Sequence, residues 1–324
     1  MQAIVYSRYG PPDILEFKEI AKPAAADGEV LIRVHNAAVN PYDWHFMRGK
    51  PGFIRLFTGL RRPRFPRLGA DASGVVEAVG PGTKELNVGD RVFGACKGAF
   101  AEYACGKESE LAIIPPGVSL EQAASVPIAG ITALQGLRDS GRVQAGQSVL
   151  INGAAGGVGT FAVQIAKALG ATVTGVCSAR NAELIRSLGA DRVIDYAHED
   201  FTRADGRFDV IFDLVGNHPL SAIRRALAPR GTFVGCGGGG PDRSGLELLA
   251  GTVGQAVAAK FSSEKLTSVL AKVNTADLNV LAGMLESGAV KPVLDRSYTL
   301  KETAEAIRHV ESCHARGKVI IAVA

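Results

Sequence analysis

The chain has 324 residues, 47% hydrophobic and 21% charged, with 36 Lys and Arg against 32 Asp and Glu. That length gives a soft expectation of two domains, and the composition suits a globular protein with a sizeable core rather than a disordered chain. The net charge of +4 is spread along the chain rather than drawn into one long basic tract, so nucleic acid is not implied.

Valine-rich runs at 30–34, 72–79 and 91–94, divided by turns such as Pro81-Gly82 and Val88-Gly89-Asp90, predict strands of a β-rich unit. From Leu120 the pattern changes. Helical spacing at 121–137 leads into strands at 148–152, 172–177, 192–195, 209–215 and 232–236, with helices at 157–169, 181–188 and 219–226 between them. Strands alternating with helices in this way make right-handed βαβ units and a parallel sheet. The tail returns to the first style, with helices predicted at 263–272, 277–287 and 301–313 and a last strand at 318–323. The fold class is therefore α/β: a doubly wound Rossmann sheet over 122–264, inserted into a β-rich domain made of 1–121 and 265–324.

Five cysteines, Cys96, Cys105, Cys177, Cys236 and Cys313, make no CxxC pair and no zinc-finger spacing, which fits a reducing compartment. The N-terminus has no secretory character and no apolar run reaches the ~18 residues of a membrane span, so a cytoplasmic location is expected.

Strand 148–152 ends in Gly153-Ala154-Ala155-Gly156-Gly157-Val158-Gly159, and an apolar helix follows. Small residues there let the backbone approach a pyrophosphate, whose charge meets the unpaired N–H groups of the helix start. Ala154 stands where the first glycine of the dinucleotide fingerprint would stand, with Gly156, Gly157 and Val158 as further contacts and Gly159 in the third glycine role. A carboxylate at the end of the second strand would mark an NAD site; Cys177 occupies that place, followed by Ser178 and Arg180. Arg pairs bidentately with a 2′-phosphate, so NADPH is predicted over NADH. The alternative is that Ser178 and Asn181 cap the next helix.

Ala38-Val39-Asn40-Pro41-Tyr42-Asp43, Gly69-Ala70-Asp71-Ala72-Ser73-Gly74-Val75-Val76, Val88-Gly89-Asp90-Arg91-Val92-Phe93, Ala129-Gly130-Ile131-Thr132-Ala133, the glycine turn and Gly189-Ala190-Asp191 extend over essentially the whole chain. Together they resemble the zinc-independent quinone oxidoreductases of the medium-chain dehydrogenase/reductase superfamily. The resemblance implies a GroES-like catalytic domain beside the Rossmann domain, a homodimer, and hydride transfer from NADPH to a small-molecule quinone or α,β-unsaturated carbonyl. Another carbonyl or alcohol as substrate, or NADPH binding without catalysis, are the alternatives.

Zinc alcohol dehydrogenases of this superfamily carry Cys where this chain has Asn40, and Gly-His-Glu where it has Gly69-Ala70-Asp71. Zinc needs about three protein ligands of Cys, His or carboxylate type, so no metal is expected. Without a Lewis acid an alkoxide is poorly supported, which favours reduction of a conjugated carbonyl.

By the same resemblance Asn40 and Tyr42 face substrate, with Tyr42 able to donate a hydrogen bond to its oxygen; turn support and half-buried packing are the plainer readings. Thr132 falls near the nicotinamide, or is a helix-interior threonine bonding back to a carbonyl. Val215, Gly216, Gly235, Cys236 and Gly237 end strands at the cofactor edge of the sheet. Lys318 resembles a cofactor-side position, with an exposed edge lysine as the alternative. Residues 53–67 mix apolar and basic side chains; a solvated loop with some packed aromatics is the favoured reading, against a substrate lid or a membrane-contacting surface.

Overall fold

A computed structural model of the chain describes residues 1–203, 206–236 and 265–323. Gly237 lies outside them. The chain divides into two compact units, one of Met1–Ile131, Val273–Gly288 and Leu294–Ala324, the other of Thr132–Lys272 and Ala289–Val293.

The first unit opens with strands β1 (Gln2–Val5), β2 (Glu16–Glu19) and β3 (Glu29–Val39), helices α1 (Pro41–Arg48) and α2 (Ile54–Thr58), and strands β4 (Asp71–Val79), β5 (Arg91–Ala95), β6 (Tyr103–Lys107) and β7 (Leu111–Ile113). Helices α3 (Leu120–Ala124) and α4 (Pro127–Gln135) replace the single helix expected over 121–137. Pro127 explains the break, because its ring bars the preceding residue from helical backbone and it has no N–H to give. The boundary falls after Ile131 rather than at 121, since Ser73 Oγ donates to Leu120 O at 2.6 Å and Ile128 N to Asp71 Oδ1 at 3.1 Å, tying these helices to the β-rich unit.

The second unit continues with β8 (Ser148–Asn152), α5 (Gly157–Ala168), β9 (Thr172–Cys177), α6 (Ala182–Ser187), β10 (Arg192–Asp195), β11 (Phe208–Asp213), α7 (Leu220–Ala226), β12 (Leu227–Gly235) and β13 (Lys265–Ser268). These strands form one six-stranded sheet in the order β10-β9-β8-β11-β12-β13, every pair parallel. The helix expected at 263–272 is corrected: Lys265–Ser268 is the sheet's edge strand, paired to Thr232–Gly235. Short polar edge strands carry little apolar periodicity, so their pairing is set by the neighbouring strand. Leu150, Val176, Ile194, Ile211 and Phe233 fill the core on this sheet.

Helix α8 (Thr275–Glu286), strand β14 (Leu294–Thr299), helix α9 (Thr303–Glu311) and strand β15 (Lys318–Ala322) return the chain to the first unit, whose main sheet runs β14-β15-β3-β4-β5-β7 with β6 also paired to β3. Its core gathers Val30, Ile32, Val34, Val76, Phe100, Trp44, Met47 and Ile321. Among the described residues no helix is long and apolar enough to cross a membrane.

Candidate active site

Antiparallel pairing places Val39 opposite Val319 and Ala38 opposite Asp71. The end of β3 is thus flanked by Asp71 on one side and Lys318 on the other, and Asn40 follows between them. Asn40 Nδ2 donates to Asp71 Oδ2 at 2.9 Å, and Lys318 Nζ donates to Asn40 Oδ1 at 2.6 Å while standing 3.5 Å from Asp71 Oδ2. Asn40 also begins α1, where Asp43 accepts the Asn40 N–H at 2.8 Å and the Gly69 N–H at 2.9 Å. Asn40, Asp43, Asp71 and Lys318 are all buried.

Burial of charge is costly unless partners replace water, and here each group has them. Burial raises the Asp43 pKa to about 7, against the two backbone donors that favour its carboxylate. Burial likewise raises Asp71 and lowers Lys318, with their mutual attraction opposing both shifts.

One expectation changes here and one alternative is excluded. Asn40 is 2% exposed with its side-chain atoms engaged inward, so it fixes the start of α1 instead of facing substrate. Lys318 is 3% exposed, so it is not an edge lysine, and its ammonium points into this cluster. Tyr42 sits on the first turn of α1, 45% exposed, its ring against Phe46 with centroids 3.9 Å apart. Partial burial, with Asp43 adding to it, pushes the phenol up to about 12, so it remains a protonated donor at neutral pH.

In the second unit the strand ends are level: Asn152 lies beside Val176 and Asp213, and Asp213 beside Gly235. Gly153 turns at φ +88°, and a Cβ there would also lie 2.9 Å from Val215 Cγ2. A Cβ on Gly159 would fall 2.1 Å from Gly153 O, so α5 and the turn approach too closely for any side chain. Gly156 differs: its nearest neighbour would be an ordinary 3.5 Å away. The chain itself does not require glycine at 156, which leaves open space at the start of α5, where the first N–H groups have no helical acceptor.

Ala154 is corrected as a contact. It is wholly buried and its N–H donates to Val176 O at 3.0 Å, so Gly153 makes the tight turn and Gly156, Gly157 and Val158 form the accessible face. Thr132 is buried on α4. Cys177 ends β9, Ser178 accepts a 3.2 Å bond from Asn181 Nδ2, and Arg180 is exposed on the turn that follows. Val215 and Gly216 follow β11, and Gly235 and Cys236 end β12, with burial raising the Cys236 thiol to about 11, well away from a reactive thiolate.

The organiser of this edge is Asp213, which sequence reasoning missed. Its Oδ1 accepts from Asn152 Nδ2 at 2.8 Å, Val215 N at 3.0 Å and Gly216 N at 2.9 Å. The signal was present as an Asp closing the apolar run Val210-Ile211-Phe212.

Two family models match the chain: the alcohol dehydrogenase GroES-like domain over residues 26–116 and the zinc-binding dehydrogenase over residues 188–321. The quinone oxidoreductase of Rattus norvegicus is 31% identical, over 98% of this chain and 96% of that protein. The chain belongs to the medium-chain dehydrogenase/reductase superfamily. It is a quinone oxidoreductase-like oxidoreductase of that superfamily, with a GroES-like unit and a Rossmann unit. The chloroplastic NADPH-dependent alkenal/one oxidoreductase of Arabidopsis thaliana is 34% identical over 99% of this chain and 79% of its own length. Among solved structures, the quinone oxidoreductase from Coxiella burnetii is similar with a TM-score of 0.86 and 30% identity, covering 100% of this chain and 99% of that one. The Escherichia coli quinone oxidoreductase complexed with NADPH has a TM-score of 0.84 and 27% identity, with both chains covered in full.

The zinc in one family model's description can be tested on the donors of this oxidoreductase. At Asn40 and Asp71 it offers an amide and one carboxylate, with the Lys318 ammonium already between them. An ammonium repels a second cation and supplies no lone pair, so this set does not fit zinc, and among the described residues no three His, Cys, Asp or Glu side chains gather as a metal group.

Proposed function

We propose that this oxidoreductase uses NADPH, without zinc, to reduce quinones or α,β-unsaturated carbonyls. The observation that carries the reading is the glycine turn at the start of α5, where Gly156 leaves room that the fold does not need and the helix N–H groups face it. The lack of a carboxylate at Cys177 and the exposed guanidinium of Arg180 support NADPH over NADH. The names of the Arabidopsis relative and of the Escherichia coli structure, both mentioning NADPH, agree with that choice.

NADPH, when bound, supplies hydride from its nicotinamide ring. The chain's part is positional and electrostatic. Gly157 and Val158 would hold the pyrophosphate through their N–H groups and Arg180 would pair with the 2′-phosphate, while Tyr42 would donate to the substrate oxygen on which negative charge develops. An enolate or hydroquinone oxygen needs only such a donor, which is why a conjugated acceptor suits a site whose internal cation is Lys318 rather than a metal.

The test is oxidation of NADPH followed at 340 nm with a panel of small quinones and enones. Turnover with NADPH favoured over NADH is expected. Tight cofactor binding with no turnover across the panel would leave a binding protein in place of a reductase.

A further inference from the structure

We propose that residues 53–67 form a docking surface for anionic lipid bilayers. Phe53, Leu56, Phe57, Leu60 and Phe65 all point to solvent, with Phe57 75% and Leu60 68% exposed. These apolar side chains are therefore not packed, contrary to the loop expected from the sequence. Exposed apolar side chains gathered in one short segment mark an interaction site more often than scattered ones do.

The backbone beneath them is pinned. The Tyr9 hydroxyl donates to Gly59 O at 2.6 Å and lies 2.7 Å from Thr58 Oγ1, Arg64 N donates to Thr58 O at 2.7 Å, and Tyr6 N donates to Pro66 O at 2.9 Å. Arg55 turns inward over the Tyr9 ring and bonds Gly49 O. Gly59 is required by the turn, because a Cβ there would meet Arg62 O at 2.1 Å. The segment is thus held in one conformation that presents its apolar groups outward, which lowers the ordering cost of docking.

Charge selects the partner. Seven of the chain's 36 basic residues and none of its 32 acidic ones lie between Trp44 and Ala70, so the rest of the chain is net acidic. Arg61, Arg62 and Arg64 are exposed among the apolar side chains, and Arg67 is half-buried beside them. Aromatic and leucine side chains ringed by arginine match an interface that is apolar below and anionic at its surface. Each such arginine near anionic lipid is worth about fivefold in partitioning at low salt.

Co-sedimentation of the full chain with large vesicles tests this, comparing phosphatidylcholine alone with phosphatidylcholine containing 30% phosphatidylglycerol (about one lipid in three, near the anionic content that gives such attraction). At low salt, binding at least about tenfold stronger to the anionic vesicles is expected, weakened by high salt. Arg61→Glu with Arg62→Glu should lower it by roughly 25-fold or more, and Phe57→Asp with Leu60→Asp should abolish it, while melting temperature and turnover of a water-soluble acceptor stay native. No binding to anionic vesicles overturns the proposal, as does equal binding to both compositions. Self-association that Phe57→Asp abolishes, without vesicle binding, would assign the face to a second copy and also overturn it. Because turnover is read separately, failure here leaves the reductase reading untouched.

Discussion

Gly156 and Gly159 are three residues apart in one turn, yet alanine at each should fail in different ways. At Gly159 the new methyl would meet Gly153 O at 2.1 Å and Ala154 C and O at 2.7 Å, all backbone atoms that cannot rotate aside. Overpacking of a tight site costs about 1–3 kcal/mol, and the upper end applies where backbone must move. At about 2–4 °C per kcal/mol for a domain of this size, the second unit's melting temperature should fall by at least roughly 6 °C. At Gly156 the backbone, φ −79° and ψ 176°, suits any residue, and the nearest atom is 3.5 Å away. Losing glycine at a helix N-cap should cost no more than about 1 kcal/mol. Its methyl would instead occupy the space assigned to the pyrophosphate, so NADPH affinity should drop at least tenfold, about 1.4 kcal/mol. Thermal melts and fluorescence titration with NADPH separate the two. Native NADPH affinity in Gly156→Ala would refute the cradle, and native stability in Gly159→Ala would refute the packing argument.

Arg180→Ala should weaken NADPH binding about tenfold or more, as for a lost charge-assisted bond, and leave NADH unchanged; an equal loss for both would remove Arg180 from 2′-phosphate recognition. Tyr42→Phe should lower kcat about 10–100-fold with a smaller change in KM, without shifting the pH profile below 10 because the phenol's pKa is near 12; an unchanged kcat would place the proton donor elsewhere. Asp43 binds its proton more tightly in the folded state, pKa about 7 against an ordinary 3.8. Its stabilising contribution is therefore complete below pH about 4 and lost as pH rises through 7, on the order of 4 kcal/mol across the window. Urea midpoints should fall over that range in the native chain relative to Asp43→Asn, and parallel profiles would count against it. Asp213→Ala leaves three donors without their shared acceptor and should cost at least about 2–3 kcal/mol, with Asp213→Asn recovering part; urea denaturation giving native stability would show that the 213–217 loop does not depend on it.

The Rossmann half was legible because parallel strands buried on both faces read as continuous apolar runs, and because the glycine turn joins a strand to a helix in a recurring way. Edge strands such as Lys265–Ser268 were not, since four residues with one apolar side chain, Leu266, carry no period. Ala154 was misread as a contact for a related reason: the letters of the turn show which residues are small, but not that Gly153 carries the positive φ while the Ala154 N–H is spent on Val176.

What the sequence determined by itself was the alternation of elements, the small residues of the turn, the non-acidic end of β9 and the residue types at Asn40 and Ala70 that depart from a zinc site. These are local properties, set by period, size and charge along a few neighbours. Only the tertiary structure decided that Lys318 lies against Asn40, 278 residues away in sequence, or that Asp213 gathers three donors at the sheet edge. Strand register brings β15 and β4 to either side of β3, and no local pattern encodes which distant side chains that pairing will set within hydrogen-bond reach.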